Sequence, residues 1–309
     1  MAKTLKQYSP ALQLVLIVSF FIAFLLLLGL LSTILAPLLT GYSLTALQSA
    51  DVSIPNVSLT WKVLTIMGPV FMYLLPALLF ARLITPLSME WLNLNKPIRL
   101  WPAIFVIVVI VLGIPMSGLL YDWNCTWSMA QSSIQVAENT AALITAIMKM
   151  PNVVYLIINL LLFALIPAIA RECFFRGVLQ QVLIHMMPKA PWIAIIITSV
   201  IFSASYTQWQ WFAPMILIGI QLSAIYYLTE NLWLCILGDF IFSSVNWVQS
   251  YFNQLGWSNE DPLHPSATPW YIALISLILT VGLLWYFRTR IPKPVIKIAY
   301  QEDIESIGK

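Results

Sequence analysis

ALIPAIARECFFRGVLQQVLIHMM, residues 164–187, decides the fold. It opens as an apolar run suited to lipid, then sets Arg171, Glu172 and Arg176 into otherwise apolar text. A charged side chain at membrane depth costs about 2.5–3.5 kcal/mol on insertion scales, so such groups are rare and seldom idle. On a helix Glu172 and Arg176 stand at i and i+4, one above the other, and Arg171 lies about 100° round the axis. Gly177 follows, where another backbone can come close. Read from these residues alone, two accounts stay open. One is a structural Glu172–Arg176 pair with Arg171 snorkelling to the headgroups; the other is a functional intramembrane cluster.

The surrounding composition agrees with a membrane setting. Of 309 residues, 61% are hydrophobic and 9% charged, against about 25% charged in soluble domains. The apolar runs are continuous rather than alternating, which excludes a β-barrel. The fold class is therefore all-α: a polytopic transmembrane helix bundle of about eight spans. The spans read as Leu12–Leu35, Lys62–Ile84, Trp101–Tyr121, Asn152–Ala170, Trp192–Tyr206, Trp211–Leu228, Leu232–Phe252 and Pro269–Phe287. Prolines 69 and 76 predict kinks in the second. The charged turn continues the fourth towards Met187, or is re-entrant or interfacial. Residues 122–151 are helical in composition but too polar to span, and predict an amphipathic helix at the interface.

Three regions follow: 1–151, with three spans and the amphipathic helix; 152–252, the core with the charged cluster; and 253–309, the last span and a tail. No cleavable signal peptide is expected, because the first apolar run is too long. Basic residues set the orientation. With the N-terminus inside, the inner side holds Lys3 and Lys6; Arg82, Lys96 and Arg99; Arg171, Arg176 and Lys189; and Arg288, Arg290, Lys293 and Lys297. The other side holds little beyond Lys62 and Lys149. Both termini are expected in the cytoplasm, and the style of the chain suggests a bacterial inner membrane.

Cys125, Cys173 and Cys235 lack metal-ligand spacing, and the last two read as small core residues. A net charge of +3, widely spread, does not point to nucleic acid. No cofactor or metal is expected, since one Glu and one Asp make a thin donor set. His185 and His264 read as ordinary interface or surface histidines. No internal repeat supports an inverted-repeat transporter. Tryptophans in TWKV, TQWQWF and VNWV fall at span ends, as an aromatic belt would place them; those beside Tyr206 could also rim a binding site.

Three segments in order, PAIARECFFRGVLQ, VIFSASYTQWQWFAP and NLWLCILGDF, resemble the CAAX prenyl protease and bacteriocin-processing (CPBP) family. The family comprises glutamate-dependent intramembrane endopeptidases, often described as metalloproteases. The likeness covers residues 152–252 well and 1–120 loosely. The family's first motif has two glutamates, then three residues and an arginine; here it reads RECFFRG. The second has Phe and, four residues on, His; here it is FSASY, with Phe202 and Tyr206. The third has His and, four residues on, Asn; LWLCILGDFIFSS supplies Asp239 and Ser243. The resemblance implies that the first glutamate and the second-motif histidine activate water, and that the third-motif pair stabilises the oxyanion.

The candidate site residues are therefore Glu172, Arg176, Tyr206 and Asp239, with Arg171 and Ser243 as substituted catalytic positions. Only Glu172 and Arg176 keep the family's residue. Arginine stays protonated and cannot act as a general base, and tyrosine is a poor base near neutral pH. The paired exchange predicts a buried Arg171–Asp239 ion pair, since each charge alone is costly in lipid and together they neutralise; Tyr206 could donate to Asp239 as well. The expected function is a catalytically impaired or inactive CPBP-like protein that binds a membrane protein, peptide or lipid in an intramembrane cavity. The alternatives are an active endopeptidase using Glu172 with Asp239 as a carboxylate pair, and a small transporter or channel.

Overall fold

The computed structural model describes residues 5, 8–47, 50–51, 54–127, 149–206, 208–258 and 267–290. Among them every regular element is helical: α1 Pro10–Thr40, α2 Leu44–Leu47, α3 Pro55–Ile84, α4 Ser88–Trp91, α5 Leu100–Cys125, α6 Val153–Met186, α7 Pro191–Ala204, α8 Trp209–Thr229, α9 Leu232–Gln254 and α10 Trp270–Arg290. The expected amphipathic helix, the loop with Glu260, Asp261 and His264, and residues Lys3, Lys6, Lys293 and Lys297 lie outside the described residues.

Local chemistry marks the helix ends. Ser9 caps α1 and Pro10 opens it; Gly41 closes it in the left-handed region at φ 75°, donating to the Pro37 carbonyl. Asn152 accepts from the amides of Val154 and Tyr155 at the start of α6, and Asn231 from Trp233 at the start of α9.

Among the described residues seven helices are long and apolar enough to cross a membrane: α1, α3, α5, α6, α8, α9 and α10. With the shorter apolar α7 this matches the expected polytopic bundle of about eight spans. α7, the fifth of the expected spans, has 14 residues, roughly 21 Å at the helical rise, against a hydrocarbon core of about 30 Å. Pro191 begins it and the turn at Ser205–Tyr206 ends it, so it has no room to lengthen. The charged turn is not re-entrant: α6 runs unbroken through it for 34 residues. Several other helices outrun their apolar text, α1 to Thr40, α5 to Cys125 and α3 back to Pro55.

Successive long helices and α7 alternate in direction, as contacts at both ends show. At one end Lys96 meets Glu230 at 3.1 Å, Asn231 donates to the Pro97 carbonyl, and Asn93 donates to the Tyr226 hydroxyl at 2.9 Å. At the other, the Ala213 amide donates to Asn124 at 2.8 Å, Thr268 to Asp122 and Met150 to Gln254. Between the ends, Phe105 and Phe287 stack at 3.8 Å, and the Ser276 hydroxyl donates to the Leu112 carbonyl, joining α5 to α10. Arg82, Arg99, Lys189, Arg288 and Arg290 join Lys96 at the first end.

The core lies where α6, α7, α8 and α9 meet, with Phe175, Phe202, Ile218, Leu222 and Leu232 fully buried. The outer faces of α1 and α10 stay apolar and exposed, as at Leu26, Leu38 and Ile278. Such faces belong to a helix turned towards lipid.

Candidate functional site: a charged cluster inside the bundle

Among the described residues three stretches of widened, π-type helix shape the interior. Val70–Leu74 precedes Pro76, and Leu160–Leu165 precedes Pro167. A proline cannot donate to the carbonyl four residues back and its ring crowds that carbonyl, at Met72 and Phe163 here. Widening by one residue, with Leu75 donating to Val70 and Ile166 to Leu161, relieves the crowding. The third stretch, Phe175–Gln180, contains no proline. It carries Arg176 and Gly177, and widened turns of this kind often sit at functional positions.

Within this frame the cluster forms two adjoining ion pairs. Arg176 Nη1 donates to Glu172 Oε1 at 2.5 Å, and both side chains are fully buried. Its Nη2 donates to the Gly219 carbonyl on α8 at 3.1 Å. Its guanidinium lies over the Phe202 ring, 4.4 Å from the centroid, a favourable stacking geometry. The helix contact is possible because position 219 is glycine: a Cβ there would stand 2.9 Å from the Ser199 Cβ. Arg176 is thus held by α6, α7 and α8 together. One turn further along α6, the Gln180 side chain donates to the Ser223 carbonyl of α8 at 2.9 Å.

The second pair is the one the paired substitutions predict. Arg171 Nε donates to Asp239 Oδ2 at 2.9 Å, and Nη2 to Oδ1 at 3.0 Å, the fork-to-fork geometry that favours Arg over Lys. Nη2 also donates to the Ser243 hydroxyl at 2.9 Å, and Ser243 reaches Asp239 Oδ1 at 3.3 Å. The Asp239 side chain is 1% exposed and that of Arg171 12%. All three substituted groups on α6 and α9 therefore satisfy one another.

Tyr206 takes a different place from the expected one. Among the described residues it makes no hydrogen bond to Asp239; its ring faces the Arg171 guanidinium at 5.8 Å and meets Phe202 edge-on at 5.4 Å. His185 sits at the far end of α6, fourteen positions beyond Arg171, roughly 21 Å along the axis. His264 lies outside the described residues. Arg171 and Arg176 are interior, so neither contributes to the basic end of the bundle.

The chemistry available is limited. Asp239 already accepts two charge-assisted bonds. Glu172 spends one oxygen on Arg176, while its other, Oε2, is buried with no hydrogen-bond partner among the described residues. A divalent cation fits this donor set poorly: no group of three His, Cys, Asp or Glu occurs among the described residues, and the Arg171 guanidinium occupies the face of Asp239.

Sequence reasoning missed the Phe202 face, the Gly219 carbonyl and the Gln180–Ser223 bond. Phe202 lies inside motif text and Gly219 just beyond it, but nothing in the chain says which helix offers Arg176 its second acceptor.

The family model for type II CAAX prenyl endopeptidase Rce1-like proteins matches residues 153–248. No curated protein and no solved structure matches the chain. The matched segment runs from the start of α6 through most of α9 and contains every residue of the two ion pairs. The resemblance carried by the three motifs is borne out over this region.

Proposed function

We propose that this Rce1-like membrane protein is a non-hydrolytic relative of the CAAX-type endopeptidases, which binds a membrane protein, peptide or lipid without cutting it. The observation that carries the reading is the bidentate bond of Arg171 to Asp239, closed by Ser243. A glutamate-dependent hydrolase needs a carboxylate that takes a proton from water and returns it. Arg171 cannot do so, and it stands at the motif position where the resemblance implies the water-activating glutamate. Residues 1–151 and 253–309 then frame the 152–252 core, in a bacterial inner membrane with both termini cytoplasmic.

A second reading is favoured by one atom. Glu172 Oε2 has no partner among the described residues, and a carboxylate oxygen of that kind could hold a water for attack, with Asp239 as the second carboxylate. A cleavage assay separates the two, using purified protein, Glu172→Ala, and the combined variant Arg171→Glu, Tyr206→His, Asp239→His, Ser243→Asn against a set of apolar peptides. The expected result is no cleavage by the natural protein and cleavage by the combined variant. Cleavage by the natural protein that disappears in Glu172→Ala would establish the active enzyme. A continuous polar path across the bilayer, read as ion flux in vesicles abolished by Asp239→Ala, would establish a transporter instead.

A further inference from the structure

A cavity of about 330 Å³ lies outside the two ion pairs, among α5, α9, the start of α8 and the start of α10. Asp239, Phe242, Asn246 and Gln249 recur at steps of three and four, so they share one face of α9. Asn246 is seven residues from Asp239, roughly 10 Å along the axis, away from the basic end of the bundle.

The walls say what would fit. Ile114, Phe242, Val245 and Ile272 are apolar, and no ionisable side chain lines the space. Ser117 donates to the Gly113 carbonyl at 3.2 Å, and Gln249 is already engaged. The Asn246 side chain has no protein hydrogen-bond partner among the described residues and faces the cavity. An amide both donates and accepts, so it matches a hydroxyl or amide. A carboxylate or phosphate would enter a site without a cation and remain uncompensated. A peptide segment would bring a run of paired N–H and C=O groups, more than the Asn246 amide, the Thr268 hydroxyl and the Trp211 indole can satisfy. The volume is at the small end for ligand sites, and the neighbouring helix faces turn to lipid.

We propose that this cavity binds a neutral single-chain amphiphile, with its chain against Ile114, Phe242, Val245 and Ile272 and its hydroxyl or amide headgroup on Asn246. This rests on the binding reading above and names the class of its partner. Bound there, the chain would run beside the closed Arg171–Asp239–Ser243 cluster rather than through it.

The test uses full-length protein in phosphatidylcholine nanodiscs and a diazirine-bearing monoacylglycerol, with labelled sites mapped by mass spectrometry. Labelling is expected on segments 114–118 and 242–249, suppressed by unlabelled monoacylglycerol. The fatty acid of the same chain length should compete about tenfold less well, its carboxylate having no partner. Val245→Trp, which fills the cavity, should abolish site labelling. Asn246→Leu should lower it about fivefold, the worth of one hydrogen bond, at an unchanged melting temperature. Site labelling indifferent to competitor and to Asn246→Leu would overturn the proposal, as would equal competition by the fatty acid. Stronger competition by an apolar N-acetyl peptide amide would overturn it in favour of a peptide occupant. The competition arms use the natural protein, so they decide even if Val245→Trp fails to fold. Cleavage by the natural protein with labelling intact would remove only the non-hydrolytic reading; absent labelling with no cleavage would remove only this one.

Discussion

At the level of single residues, Arg171 and Asp239, which stand where the resemblance implies a glutamate and a histidine, act as one unit. Either charge alone in the bundle would be uncompensated; together they exchange two hydrogen bonds at 2.9 and 3.0 Å. Breaking a buried pair from one side costs about 3–5 kcal/mol, whereas replacing both partners by apolar residues of similar size is often neutral. Arg171→Met and Asp239→Leu should each lower the melting temperature sharply, and the double variant should recover most of the loss. Thermal unfolding in detergent checks this; additive losses in the double variant would show that the two residues act separately. The pair was legible in the sequence because two opposite charges, each costly alone in lipid, fall in motifs that carry the resemblance. The place of Tyr206 was not legible. A phenol can donate to a carboxylate or lay its ring against a guanidinium, and only the packing of Phe202 against it decides for the ring.

At the level of helices, close approach is set by small residues that a hydropathy reading passes over. Gly219 lets α8 come against Ser199 of α7 and offers its carbonyl to Arg176. Gly219→Ala would place a methyl 2.9 Å from the Ser199 Cβ and 3.1 Å from its Cα. The neighbour is backbone and cannot swing aside, so the substitution should cost about 1–3 kcal/mol. Gly282→Ala on α10 has no heavy atom within 4 Å and should be neutral or slightly stabilising. The contrast, measured as two melting curves, distinguishes an interface glycine from an incidental one. Helix existence and order were readable because long apolar runs have few alternatives in lipid. Lengths were less readable: α7 ends at 14 residues because of what flanks it, and the widened turn at Phe175–Gln180 has no proline to announce it.

For the molecule as a whole, the arrangement of charge makes its topology testable with its own cysteines. Cys173 and Cys235 are buried in the core, while Cys125 is exposed at the end of α5. That end is the one opposite Arg82, Lys96, Arg99, Lys189, Arg288 and Arg290. Short loops rich in Lys and Arg stay on the cytoplasmic side, so Cys125 should face outward. A membrane-impermeant maleimide added to intact cells should label the natural protein at Cys125 alone, and Cys125→Ser should remove the signal. In that background Lys189→Cys should label only after the membrane is opened, because Lys189 is exposed at the basic end between α6 and α7. The reverse pattern would place the basic end outside and the amphiphile cavity, which lies towards the Cys125 end, on the cytoplasmic side. Labelling of Lys189→Cys and Cys125 from the same side would break the alternation of α6, α7, α8 and α9, and with it the geometry that brings Arg171 to Asp239.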